Sequence, residues 1–461
     1  MIPLRVDLDL VRKYNVAAPR YTSYPPATQF TDVPADTLLE EIRANNESAR
    51  DLSLYFHLPF CRSLCWFCGC TTVITTAQGK SATYLDYLKK EIAQMKQRLN
   101  PKRRAVQLHF GGGTPTFLLP DEIRALGEII RENFQFADDI EAGCEIDPRG
   151  FTREHAAALA EAGFNRASLG VQDFDPQVQE AVHRIQPRDI TAQSIAWLRE
   201  FGFKSVNVDL IFGLPHQTAA SFESTLEQVL DLQPDRFAVF SYAHVPWLKP
   251  AQKIFKALPT PETKLDLLKL TIEKLTSCGF TYIGMDHFAR ENDELTIAQR
   301  EKTLQRNFQG YSTRGHADIY AFGMSSISQA GGIYWQNIKA LPDYYAALDE
   351  GRWPLARGLV LTDEDMLRRE TIMRLMCDMS LDYTAMSQKL GVDFASHFSG
   401  ELASLDDLEA DGLLKRSASG LVVTGTGRLV IRVIASRFDA YYTAAQKHAA
   451  EAGAQKFSKT I

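Results

Sequence analysis

Between residues 52 and 285 the chain alternates short apolar runs with stretches of helical periodicity, and few folds accommodate that order. The runs are LSLYFHL (52–58), VQLHF (106–110), IEAGCEI (140–146), RASLGV (166–171), SVNVDLIF (205–212) and RFAVFSY (236–242), with a candidate seventh at TYIGM (281–285). Between them, Leu85, Leu88, Ile92, Met95 and Leu99 recur at spacings of three and four, as do Leu265, Leu268, Ile272 and Leu275. These patterns predict amphipathic helices lying on a sheet. Gly163-Phe164, Gly202-Phe203 and Gly279-Phe280 each put a glycine suited to a left-handed helix end before an aromatic that opens the next strand. Strand and helix in alternation, with few hairpin signals, predict a parallel sheet with right-handed crossovers and functional loops at the strands' C-terminal ends. About six such units predict an α/β fold, an open, partial (β/α)6 TIM-like barrel.

Two regions fall outside this pattern, dividing the chain into an arm (1–50), the barrel (51–360) and a C-terminal, mainly helical domain (361–461). The arm contains PRYTSYPP (19–26), irregular and aromatic. From about residue 362 helical patterns lead into a hairpin, LLKRSASGLVVT (413–424), with Gly420 near its turn, which predicts a small winged-helix-like module. Asp363 to Tyr442 holds 13 acidic and 9 basic residues, which disfavours DNA reading. The whole chain, with 51 Lys and Arg against 57 Asp and Glu, has no basic excess for a polyanion, so no nucleic-acid partner is expected. Arg5, Asp7, Asp9, Arg12 and Lys13 stand where a signal peptide needs an apolar stretch. No segment approaches the ~18 apolar residues of a membrane span. A cytoplasmic monomer without membrane partners is the expectation.

Four of the seven cysteines fall within ten residues, in Cys61-Arg62-Ser63-Leu64-Cys65-Trp66-Phe67-Cys68-Gly69-Cys70, directly after the first strand. Too few for a disulfide scaffold, they point to metal chemistry in a reducing compartment. Soft thiolates at this density select zinc or an iron-sulfur cluster. A zinc knuckle usually draws on a distant second pair of cysteines, which is not visible here, so the iron-sulfur reading is favoured. Cys144, Cys278 and Cys377, isolated on apolar segments, read as buried small hydrophobes.

The C-x3-C-x2-C spacing of Cys61, Cys65 and Cys68 resembles the motif of the radical S-adenosylmethionine (SAM) enzymes, in which three thiolates hold a [4Fe-4S] cluster and leave one iron open to SAM. With the following x-Cys70, YFHLPFC before it, HFGGGTPT at 109–116, PRYTSYP at 19–25 and NFQGY at 307–311, the whole chain resembles the oxygen-independent coproporphyrinogen III oxidases. The resemblance implies oxidative decarboxylation of two propionates of coproporphyrinogen III to vinyl groups, giving protoporphyrinogen IX in haem biosynthesis through a 5'-deoxyadenosyl radical. An electron donor such as flavodoxin or ferredoxin and a terminal electron acceptor are implied partners. A haem chaperone and a haem-opening enzyme of the same superfamily are the rivals, although chaperone relatives typically lack both the x-Cys70 extension and the aromatic arm.

Strand alternation puts Tyr55 and His57 on one face, pointing into the barrel. Gly111-Gly112-Gly113-Thr114 follows the second strand, where bare backbone can approach a ligand. Glu145 and Asp147, Gln172 and Asp173, Asp209, and Ala243 with His244 lie in or end successive strands, as a barrel active site requires. The resemblance implies first-SAM contacts at Tyr55, Gly112, Glu145 and Ile327. It implies a second SAM at Phe67, Gly113, Thr114, Gln172, Arg184, Asp209 and Ala243, and catalytic roles for Cys70 and Tyr55. Arg20, Tyr21, Tyr24 and Gln309 are candidates for lining the porphyrinogen cavity, guanidinium being well suited to a tetracarboxylate.

Overall fold

The computed structural model describes Leu4, residues 6–48 and residues 50–442. Arg5 and the end of the C-terminal region, 443–461, lie outside the described residues. The described residues gather into two compact units, one within 30–259 and 316–360, the other within 4–29, 260–315 and 361–442. The two compact units cut across the expected segments 1–50, 51–360 and 361–461. Residues 30–48 join the barrel because Thr31 pairs with Gly358 at a sheet edge and the helix Ala35–Asn45 buries Leu38 and Ile42. Residues 260–315 join the C-terminal residues instead.

In the barrel unit the six main runs are strands β1 (Leu52–Leu58), β2 (Arg104–Gly112), β3 (Gln135–Ile146), β4 (Arg166–Gln172), β5 (Ser205–Phe212) and β6 (Arg236–Ser241), each parallel to the next. A seventh parallel strand, β7 (Asp318–Phe322), lies on the other side of β1. Antiparallel strands β8 (Ile327–Ala330), β9 (Ile333–Asn337) and β10 (Leu355–Val360) extend that side. The expected seventh strand at 281–285 is different in kind. Phe280–Gly284 pairs antiparallel with His287–Arg290 in the other unit, because Met285 and Asp286 reverse the chain before any helix can intervene.

Each strand from β3 to β5 buries one face against helices and leaves the other half-exposed toward the interior. Ala142, Cys144 and Ile146 alternate with Glu141, Gly143 and Glu145, and Val206, Val208 and Leu210 alternate with Asn207 and Asp209. The apolar faces form one core with helices such as Gly79–Lys96, which buries Leu85, Leu88, Ile92 and Met95 as the spacing predicts. In the helix Pro261–Ser277 the buried face takes Leu267, while Leu268 is only half-buried. Gly163, Gly202 and Gly279 all have positive φ, and the phenylalanine after each is buried. Cys144 and Cys377 are buried, but Cys278 is exposed because it caps a helix end.

The other unit packs the helix Asp363–Asp378 and later short helices around a three-stranded sheet of Ser380–Asp382, Gly420–Val423 and Leu414–Ser417. The predicted hairpin is its wing. The aromatic arm is held here: Tyr21 Oη donates to Asp439 at 3.0 Å, Tyr24 Oη accepts from the Ala440 amide, and Arg432 donates to the carbonyls of Ala18 and Pro19. Tyr21 and Tyr24 are fully buried. Both pack within this unit's core.

Candidate active site

The cysteine loop leaves β1 and is closed by backbone. Phe60–Cys61 pairs in parallel with Val73–Ile74, and the Gly113 and Thr114 amides donate to the carbonyls of Leu58 and Phe60. Within the loop Cys68 N donates to Cys65 O, Trp66 N donates to Val182 O, and the Trp66 ring stacks on His183 at 5.0 Å. Gln252 and Lys249, after β6, donate to the carbonyls of Phe67 and Cys70 at 3.2 and 2.8 Å. Two facing segments thus fix the loop at both ends.

Under the loop, at the strands' C-terminal ends, lies a cavity of about 190 Å³ that opens to solvent at its mouth. Cys61, Cys65, Cys68 and Cys70 line it, with Phe67, Gly112, Gly113 and Thr114. Glu145, Gln172, Arg184 and Asp209 complete the predicted residues on its wall. Tyr55 stands behind that wall, donating to or accepting from His57 Nδ1 at 3.2 Å and stacking on His109 at 5.8 Å. Ala243 lies exposed just past β6 and Ile327 opens β8, both outside the lining. Arg20 and Gln309 belong to the other unit.

The three carboxylates on the wall, Glu145, Asp147 and Asp209, sit in different electrostatic settings. Burial pushes the Glu145 carboxyl up, but His109 Nε2 at 3.5 Å, the Gly112 amide at 3.1 Å and His57 together hold it below its ordinary value. Asp209, hydrogen-bonded by Ser168 at 3.0 Å and Asn207 at 2.7 Å, is pushed up to about 7 by burial and by the Glu145 charge. Asp147 goes the other way: against burial, Arg184 and Arg149 hold it down at about 2. Both guanidinium groups also reach the Cys65 sulfur, each at 3.4 Å. Asp173, also at the end of β4, accepts from Gln217 and Thr225 and is a buried structural group.

His109, Arg149, Ser168 and Asn207 were not singled out from the sequence. Period two along β2 and β5 could have found His109 and Asn207, which alternate with apolar neighbours; Arg149 follows a proline in a short turn and has no such signal. Gln172 has φ of 70°, a left-handed conformation uncommon for a residue with a side chain, at a shift of register between β4 and β5.

Residues 55–229 match the Radical SAM superfamily and residues 361–430 the HemN C-terminal domain. Oxygen-independent coproporphyrinogen III oxidase of Helicobacter pylori is 44% identical over 99% of both chains, and that of Escherichia coli is 46% identical over 99% of this chain and 98% of its own. The chain belongs to the oxygen-independent coproporphyrinogen III oxidase family. The solved structure described as coproporphyrinogen III oxidase (HemN) from Escherichia coli, a radical SAM enzyme, superposes with a TM-score of 0.91 at 44% identity, over 95% of this chain and 99% of that one.

Radical SAM membership carries a [4Fe-4S] cluster and SAM as cofactors, and the cavity fits them. The thiols of Cys61, Cys65 and Cys68 line one space, and soft thiolates are the donors that an iron-sulfur cluster takes. Gly112 lies at φ 117°, where a Cβ would come within 2.6 Å of the His57 ring, and a Cβ on Gly113 would meet the Pro59 carbonyl. The oxidase backbone therefore stays bare where it passes the cavity. No helix among the described residues is long and apolar enough to cross a membrane.

Proposed function

We propose that this protein decarboxylates two propionate side chains of coproporphyrinogen III to vinyl groups, yielding protoporphyrinogen IX. The observation that carries the reading is a cavity lined by three closely spaced thiols and a fourth, Cys70, in a chain matching the curated oxidases end to end. In this reading Cys61, Cys65 and Cys68 hold the cluster and Cys70, exposed at the loop's end, stays free for catalysis. When bound, the cluster and SAM supply an electron and the 5'-deoxyadenosyl radical that takes a hydrogen atom from the propionate β-carbon.

The chain's own residues bind, orient and shield. Glu145, kept ionised by His109 and the Gly112 amide, presents a carboxylate suited to the SAM ammonium group, with Tyr55 and His57 packed behind it, and Ile327 is a further proposed contact of the first SAM. Asp147 fixes Arg149 and Arg184 against Cys65, so the ligand sulfur receives two N–H donors. Two SAM molecules are part of the proposal. Phe67, Gly113, Thr114, Gln172, Arg184, Asp209 and Ala243 form the second site, where Asp209, close to half protonated near neutral pH, can donate or accept. A flavodoxin or ferredoxin supplies electrons, a separate acceptor takes up those left by decarboxylation, and the enzyme works as a monomer in the cytoplasm.

Anaerobic reconstitution with iron and sulfide, followed by incubation with SAM, reductant, a one-electron acceptor and coproporphyrinogen III, tests this. The expected product is protoporphyrinogen IX with two molecules of CO2. SAM cleavage with the porphyrinogen intact would favour a chaperone or another substrate.

A further inference from the structure

The unit outside the barrel gathers basic side chains around Asp286. Arg20 pairs with Asp286, and Arg432, buried and donating to the arm's carbonyls, is lowered to about 9 by burial and by the charge of Arg20, with Arg306 adding to the effect. Arg428 donates to Tyr282 O at 2.6 Å and Gln299 Oε1 at 3.1 Å. Arg428 Nε is nonetheless buried without a partner among the described residues, and Arg306 goes further. It is 6% exposed and lies over the Tyr311 ring at 4.8 Å, and its Nε and Nη1 atoms are buried with no hydrogen-bond partner among the described residues. It makes no ion pair among them either.

Arg306 begins a tight hairpin, Gln305–Asn307 against Gly310–Ser312, and Gln309 in its turn also leaves Nε2 buried without a partner. Buried donors are nearly always satisfied, and a buried charge left unpaired is strongly unfavourable. Two such donors on one short hairpin, beside further arginines, describe a site for an anion with several acceptor lone pairs.

We infer that the Arg306–Gln309 hairpin is a carboxylate subsite and that it takes a propionate of the tetrapyrrole substrate. The identity of that substrate rests on the function proposed above. The SAM carboxylate has the same chemistry, so the test separates the two sources.

Wild type, Arg306→Gln and Gln309→Leu, all with the cluster loaded, are titrated anaerobically with coproporphyrin III, with its tetramethyl ester and with SAM, and their melting temperatures are recorded without ligand. Arg306→Gln should bind the tetra-acid about tenfold or more weaker, in line with loss of a charge-assisted hydrogen bond. Its affinities for the ester and for SAM should not change, and its melting temperature should hold or rise because an unsatisfied buried charge has gone. Gln309→Leu should show a smaller loss of the same selectivity. Unchanged tetra-acid affinity, or an equal loss for acid and ester with a lower melting temperature, would overturn the subsite. Weakened SAM with intact porphyrin binding would overturn its assignment to propionate. If wild type binds acid and ester alike and converts no coproporphyrinogen, the proposed function fails instead.

Discussion

At the cysteine end of the barrel the carboxylates are matched by partners within the chain, with Arg184 Nε the buried donor left over, whereas at the hairpin Arg306 has no ion pair among the described residues. Asp147 has Arg149 and Arg184, and Glu145 has His109 and the Gly112 amide. Arg306 lies over an aromatic ring, and its Nε and Nη1 have no hydrogen-bond partner among the described residues. A region whose polar groups satisfy one another can hold its geometry before its cofactor arrives, as a reactive site must. One with unmatched donors is completed by what it binds.

The sharpest way to break the first half of this contrast is to remove its ligands. Cys61→Ala, Cys65→Ala and Cys68→Ala should each lose the cluster, while Cys70→Ala should keep it and lose turnover. Iron and sulfide counts on anaerobically purified protein read this directly, and cluster loss in Cys70→Ala would make Cys70 a fourth ligand. Next in size, Glu145→Ala should weaken SAM binding by roughly 10- to 100-fold, the range for a buried hydrogen bond to a charged group, without changing iron content. Equilibrium dialysis with labelled SAM measures it.

Smaller effects test how the site is tuned. Arg149→Met removes one N–H donor and one positive charge from beside Cys65, and hydrogen bonds to cluster sulfurs and local net charge help set the potential. The variant should load its cluster and be reduced at a lower potential in an EPR-monitored redox titration; an unmoved potential would mean that Arg149 only braces Asp147. Asp209 gives the smallest effect. Its folded value of about 7 lies above the ordinary 3.8, so the folded state binds the extra proton and stability falls as pH rises between the two. Asp209→Asn should flatten that slope in melting temperature measured between pH 4 and 8.

Much of the first region was legible in the sequence. Strands β1 and β5 run between the residues that apolar patterning gives, because a strand walled by helices must present an unbroken apolar face. The cysteine spacing carried its own chemistry. Strands β8 to β10 were missed since ISQA and LARGLV are short, mixed in polarity and held by partners on either side. In the second region Arg20 and Gln309 were singled out, but Arg306 and the side chains that meet around Asp286 were not. Tyr21 meets Asp439 418 residues further on, and Arg20, Asp286, Arg306 and Arg432 come from separate segments with no spacing in common. Local pattern reports which face is apolar; it does not report which distant charges meet.

The central claim is that this cavity directs hydrogen removal to the propionate β-carbon. It is tested most directly with coproporphyrinogen III deuterated at those carbons. Deuterium should appear in 5'-deoxyadenosine, with one vinyl group formed for each label transferred. Vinyl product accompanied by unlabelled 5'-deoxyadenosine would contradict the account.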